Sequence, residues 1–290
     1  MKREIRVKRF GFINVDKASG VTSSAMVNRI KWLSGVPCGH MGTLDPLASG
    51  VLPVGVGNAT RLFDYFLEKQ KTYLAEFTFG ETSDTLDRTG EIVKGGLVPS
   101  ESEITAVLPK FIGELDQIPP KYSAKNVNGR RGYDLARAGV EFSLPPKRIV
   151  VHGIECLGAS KERENAYLFK IVCGGGTYIR SLARDIAIAC GTQGLMSELR
   201  RTQSGIFTLE NALSIDDLTE ENIAESVIPT DTVLPFPKLE LISPKAYKIF
   251  DGVAIETDAK DGLYKFYRED EFYGIVEVKN GFAKIKTKLC

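Results

Sequence analysis

With 290 residues, 43% of them hydrophobic, the chain is long enough for one large domain or a large and a small one, which rules out a peptide or a disordered tail. Its 38 Lys and Arg against 37 Asp and Glu leave a net charge of +1, so any electrostatic case for a partner must be local. No apolar run of about 18 residues occurs, and the N-terminal MKREIRVKRF lacks the apolar stretch of about 7 to 15 residues that a secretory signal carries; the expectation is a soluble cytoplasmic protein with no membrane partner.

Taken in chain order, Met1 to Lys17 is basic, with six cationic and two acidic residues. After Thr22 the residues Met26, Val27, Ile30 and Leu33 repeat at helical spacing, with a hydroxyl at the start and Gly35 at the end. Tyr73, Ala75, Phe77 and Phe79 alternate as in a strand. Ser100 and Glu103 form a capping-box pattern ahead of Ile104, Val107, Leu108 and Phe111, where Pro109 should kink the helix or end it early. Gln117 to Val150 carries seven basic and two acidic residues. Ala166 to Val172 reads as a strand. Ile179, Leu182, Ala183, Ile186 and Cys190 make a helical stripe closed by Gly191. Glu210 to Asp231 then holds seven acids and no Lys or Arg. Near the end, Asn280-Gly281 between two short apolar runs is a hairpin signal, and a domain boundary is placed near Val233.

Five cysteines (Cys38, Cys156, Cys173, Cys190 and Cys290) contain no C-x-x-C pair and suggest buried thiols. The two histidines, His40 and His152, lack metal-site spacing, and no phosphate-binding glycine motif is complete. Neither metal nor cofactor is expected.

Three segments concentrate chemistry. Gly39 to Arg61 surrounds a lone acid, Asp45, with Gly, Pro, Ala and Ser, as suits a tight loop against a flat substrate; taken alone, Thr-Leu-Asp-Pro is also an ordinary capped turn with Pro46 at the first helical position. Cys173 to Ala187 runs from a glycine-rich turn into a helix bearing Arg180 and Arg184, which fits an anion clamp or a plain strand-to-helix turn. Gln117 to Val140 interleaves basic residues with Tyr122 and Tyr133, which fits RNA phosphates and bases or a solvated face.

These segments together resemble the TruB family, bacterial tRNA pseudouridine synthases acting on uridine 55 of the T loop. The likeness rests on Asn14-Val15-Asp16-Lys17 through Gly20-Val21-Thr22-Ser23, on Gly39 to Arg61, and on Lys71-Thr72-Tyr73 with Thr82-Ser83-Asp84-Thr85-Leu86-Asp87. It continues through Gln117 to Arg137, Gly176-Thr177-Tyr178-Ile179-Arg180 and Leu199-Arg200-Arg201-Thr202. Three positions depart from the pattern: Ala18, Asn126 and Gly174.

The resemblance implies an α+β fold on a mixed sheet, residues 1–232, followed by a small β-rich PUA-like domain, residues 233–290. It makes Asp45 the catalytic aspartate, Arg180 the cation that keeps it ionised, and Tyr73 the ring stacked on the target uracil. Tyr178 and Leu199 become further pocket walls, and His40 the flat ring that fills the space left by flipped bases. Lys17 is placed at the substrate or beneath the site loop. Residues 119–150 become an RNA-gripping insertion with Arg130, Arg131, Lys147 and Arg148 on phosphates. The implied partner is tRNA, with no obligate protein partner. A hydrolase would instead need a second acid about 5 to 10 Å from Asp45.

Overall fold

The computed structural model describes residues 10–289 except 68, 124–125, 128–129, 133–134, 136–137, 141, 242–245 and 269–270; the side chains of Leu67, Asn126, Val127, Arg130, Arg131, Tyr247 and Arg268 are also outside the description. Strand β1 (Gly11–Lys17) leads to helix α1 (Ser23–Ser34), which starts on a hydrogen bond from the Ala25 amide to the Thr22 hydroxyl and stops at Gly35 in the left-handed region. Next come β2 (Cys38–His40), β3 (Ser49–Val56), the short α2 (Phe63–Leu67), β4 (Lys71–Phe79), and the hairpin β5 (Glu81–Ser83) and β6 (Ile92–Lys94). The capping box forms at Ser100 and Glu103, and α3 (Glu101–Val107) gives way to a 3-10 turn at Leu108–Phe111, where Pro109 cannot donate to the helical ladder.

After β7 (Gly113–Gln117), β8 (Asn126–Val127) and β9 (Arg130–Arg131), the long strands β10 (Lys147–Ala159) and β11 (Ala166–Cys173) run into α4 (Ile179–Ala189) and β12 (Gly194–Ser204). Short β13 (Phe207–Thr208), β14 (Leu213–Ser214) and β15 (Ile228–Pro229) close this part. The C-terminal strands are β16 (Lys238–Leu239), β17 (Ile255–Glu256), β18 (Gly262–Arg268), β19 (Glu271–Lys279) and β20 (Phe282–Lys288). Asn280 and Gly281, both with positive φ, turn β19 into β20 as the sequence predicts.

The main sheet runs β14-β1-β3-β12-β4-β11-β10-β7, with β2, β13 and β15 beside it. It is mixed, since β1 pairs β14 and β3 pairs β12 in parallel while the other long pairs are antiparallel. Alternation along the strands separates two cores. Ile13, Val15, Leu52, Val54, Tyr73, Ala75 and Phe77 pack with α1, α3 and α4 on one face. Phe12, Val51, Phe66 and Phe207 pack with Val233, Leu234, Ile275 and Leu289 on the other. The C-terminal five-stranded sheet, β16-β18-β19-β20-β17, is thus joined to the main sheet by a shared apolar contact. The Asn58 amide and Arg61 guanidinium add bonds to the carbonyls of Leu289 and Lys288.

Strand β4 departs from simple alternation at Glu76, a position expected to face solvent but buried. Its carboxylate accepts bonds from Ser160 (2.5 Å), Ser197 (2.7 Å) and Arg163 (2.9 Å), so one acid ties β4 to β12 and to the β10–β11 turn. Burial pushes its carboxyl up, but the three donors outweigh that and leave it below the usual range. A depressed folded value stabilises the protein above the unfolded carboxyl pKa, and that contribution is lost as pH falls through the folded value. Glu76→Gln should therefore cost about 1–3 kcal/mol at neutral pH, with the gap from wild type narrowing below about pH 4, as read from denaturant midpoints across pH.

Candidate active site

The acid at the centre of the Gly39 to Arg61 segment sits in a turn. The Ala48 amide donates to the Asp45 carbonyl at 3.0 Å, and Pro46 occupies the second position of the turn with no helix following. The loop is bolted down from below. The Ser23 hydroxyl at the start of α1 meets both the amide and the carbonyl of Leu44, at 2.9 and 2.7 Å. Lys17, at the end of β1, is wholly buried and donates to the carbonyls of Val21 (2.6 Å), Ala18 (2.9 Å) and Pro46 (3.2 Å). Of its two expected places, at the substrate or beneath the site loop, the burial and these three bonds put it under the Asp45 turn. Burial brings its ammonium down to about 8, with Asp45 pulling the other way and Arg201 adding to the fall.

Held in this way, the Asp45 carboxylate is about a third exposed and meets the Nε of Arg180 at 2.9 Å. Arg180 comes from the first turn of α4 and is almost wholly buried. Its Nη1 donates to the Thr85 carbonyl (2.9 Å) and its Nη2 to the Tyr122 carbonyl (3.0 Å), and Nη1 lies 3.7 Å from Asp87. Each edge of the guanidinium therefore has a fixed acceptor, and the Asp45 carboxylate at its Nε is partly exposed. The sequence leaves this segment as an anion clamp or a plain strand-to-helix turn; in the fold Arg180 and Arg184 separate, since Arg180 meets Asp45 while Arg184 bonds Asp185 and the Ile118 carbonyl.

Asp87 is a participant that sequence reasoning left without a role. It is buried, and its Oδ1 accepts from the Thr85 hydroxyl (2.9 Å), the Thr89 amide (2.9 Å) and the Thr89 hydroxyl (2.5 Å), leaving Oδ2 toward Arg180. An acid so fully committed holds the arginine and is closed to substrate. The neighbouring Leu86 sits at φ 59, a left-handed conformation costly for leucine, which turns the Thr85 carbonyl and Asp87 toward the same cation. The Thr-Ser-Asp-Thr-Leu-Asp run, with hydroxyls flanking two acids, carried the signal.

Arg201 is a second buried arginine near the site, and the sequence left it without a role. It is buried opposite Tyr73 across the β4–β12 pair and donates to the carbonyls of Val51 (2.7 Å), Gly42 (3.1 Å) and Thr43 (3.5 Å), stapling the approach to Asp45 onto the sheet. Tyr73 is buried on the helical face of β4; burial raises its phenol to about 12 despite the opposing Arg201, so it is protonated at neutral pH. Leu199 is buried on β12 opposite Ala75, and half-buried Tyr178 stands at the start of α4 with its phenol raised by burial. His40 lies on β2, where burial and then Arg201 lower its pKa and favour the neutral ring.

The expected RNA contacts fare differently. Arg148 is committed to Glu114 at 2.8 Å and faces Asp116 at 3.5 Å across β7, so a phosphate there would have to displace carboxylates. Lys147 extends over the glycine turn before α4, its ammonium filling the space that a Cβ on Gly176 would need. The side chains of Arg130 and Arg131 lie outside the described residues.

The mixed sheet and the C-terminal β-rich sheet that follows it are shared with solved proteins over the whole chain. The chain aligns over its full length, at 28% identity and a TM-score of 0.73, with 88% of a protein in the crystal structure of a Cbf5-Nop10-Gar1 complex. It aligns at 26% identity and 0.70, over 99% of this chain and 86% of that one, with a protein in an H/ACA RNP bound to a substrate RNA containing 2′-deoxyuridine. Residues 31–179 match the TruB family pseudouridylate synthase N-terminal domain, residues 180–236 match the tRNA pseudouridylate synthase B C-terminal domain, and the chain belongs to the TruB family. Among curated relatives, tRNA pseudouridine synthase B of Clostridium kluyveri is 38% identical over 276 residues, 91% of this chain and 94% of that one. The Aquifex aeolicus protein of that name is 38% identical over 288 residues, covering 96% and 99%. No helix among the described residues is long and apolar enough to cross a membrane.

Proposed function

We propose that this protein converts uridine 55 in the T loop of tRNA to pseudouridine, with Asp45 as the reacting carboxylate. The supporting observation is the Asp45–Arg180 pair at 2.9 Å, exposed on the acid side and closed on the arginine side. The reaction breaks the bond from uracil N1 to ribose C1′, turns the base and joins C5 to C1′; the proton on C5 is lost and N1 gains one. Nothing is oxidised and no group leaves, so neither metal nor cofactor is needed. An ionised carboxylate can open the sequence as a nucleophile at C1′ or as a base toward C2′, and Arg180 Nε holds its Oδ2 at 2.9 Å.

The target is stacked in its loop, so it must be turned out into the site at a cost of a few kcal/mol. Stacking on Tyr73, between Tyr178 and Leu199, offsets part of that cost, and the neutral His40 ring fills the vacated space. In this reading residues 1–232 are the catalytic unit, 119–150 its RNA-gripping insertion, and 233–290 a PUA-like unit on the tRNA. The 38% identity with tRNA enzymes over nearly the whole chain favours tRNA over an RNA-guided particle as the substrate context.

The test is direct. Purified protein and an unmodified T-stem-loop hairpin are incubated with a chelator, and modified positions are mapped by mass spectrometry. One pseudouridine at position 55, formed at the same rate with and without chelator, is expected. An unmodified hairpin that is nevertheless bound would make the protein a binding factor and reject the proposal.

A further inference from the structure

Arg180 reaches Asp45 from the first turn of α4, and the sequence just before that turn gives little reason for it to be fixed. Gly174, Gly175 and Gly176 lead into the helix, Gly176 has φ +79, and the N-cap Tyr178 makes no side-chain capping bond. The fixing comes from the end of β7. The Gln117 side chain is buried, its Oε1 accepts from the Tyr178 amide at 2.8 Å, and its Nε2 donates to the Tyr178 carbonyl at 3.0 Å.

One primary amide thus pairs with both backbone groups of one residue, as a neighbouring strand would, and holds Tyr178 extended at φ −96 and ψ 109. The backbone donor and acceptor also dictate which way the amide points. The next residue extends the grip: the Ile118 carbonyl accepts from the Ser181 hydroxyl at 2.8 Å and from Arg184 at 3.0 Å. The first turn of α4 therefore hangs on Gln117-Ile118.

We infer that Gln117 is a positioning residue for the isomerisation, setting, through Tyr178 and the first turn of α4, the placement of Arg180 against Asp45. This rests on the reading of Asp45 and Arg180 as the reacting pair. Asparagine is too short to span the same gap, and methionine fills the volume but leaves the Tyr178 amide unpaired and its carbonyl with the Leu182 amide alone, at 3.1 Å. Glutamate keeps the acceptor for the amide and sets an oxygen against the carbonyl.

The experiment is a double-mutant cycle on full-length protein with the T-stem-loop hairpin, scored by single-turnover rate, RNA affinity and melting temperature. Gln117→Met is expected to slow the single turnover by about 10- to 100-fold, with affinity within about threefold of wild type. Gln117→Glu is expected to lie between Gln117→Met and wild type. In an Arg180→Lys background most of the Gln117→Met effect should vanish, because a residue acting through Arg180 has nothing left to position. A general packing role predicts instead the same fold-loss in both backgrounds. That undiminished loss, or wild-type rates in both Gln117 variants, overturns the inference. If Gln117→Met lowers the folded fraction, the cycle with Gln117→Glu decides by the same criterion. Wild-type protein that forms no pseudouridine rejects the proposed function itself, whereas active wild type with neutral Gln117 variants rejects only this positioning role.

Discussion

Asp45→Asn is expected to abolish pseudouridine formation, with a fall of at least about 10⁴ in the single-turnover rate, on the scale of deleting a reacting side chain. Asparagine has nearly the same shape and can still accept a bond from Arg180 Nε, so the turn built by Ser23, Lys17 and Pro46 should survive. Arg180 keeps its bonds to the Thr85 and Tyr122 carbonyls, and Asp87 remains beside it. Melting temperature should therefore change little. RNA affinity should hold or tighten slightly, since a negative charge leaves a surface that approaches phosphates. Turnover within tenfold of wild type would remove Asp45 from the chemistry, and a collapse in affinity would recast it as a binding residue.

Arg180→Met is expected to carry the second largest loss, about 10²- to 10³-fold in rate, the range seen when a preorganised charge partner is removed. Three consequences coincide. The partly exposed Asp45 loses its 2.9 Å partner, the buried Asp87 loses the cation at 3.7 Å, and the Thr85 and Tyr122 carbonyls lose their donor. Two of the three are buried losses, so this variant should also melt lower, unlike Asp45→Asn. Arg180→Lys should recover stability more than rate, because one ammonium cannot reach Asp45 and both carbonyls together. A rate for Arg180→Lys equal to wild type would mean that only the charge matters and that the three-sided placement of the guanidinium does not.

Strong local signals carried the elements that the sequence made legible. Thr22 and Gly35 bracket α1, the Ser100–Glu103 box starts α3, Pro109 ends it, and Asn280-Gly281 turns the last hairpin, because caps and turns depend on a few adjacent residues. Glu76 broke the pattern, since three donors from remote segments can bury an acid that alternation sends to solvent.

At the candidate site the sequence by itself determined the ingredients: a lone acid in a glycine- and proline-rich loop, an arginine after a glycine turn, and an aromatic on an alternating strand. Residue types alone left Asp45 an ordinary turn residue, and it was the family resemblance that named it and Arg180 as partners, because a carboxylate's partner is chosen by what lies near it in space. Only the tertiary structure brought Arg180 to it across 135 positions of chain, gathered Asp87, Thr85 and Tyr122 on the arginine's other edges, and buried Lys17 below. Those contacts join distant segments and leave no local periodicity to read, whereas caps, turns and apolar stripes are written within a few residues of each other.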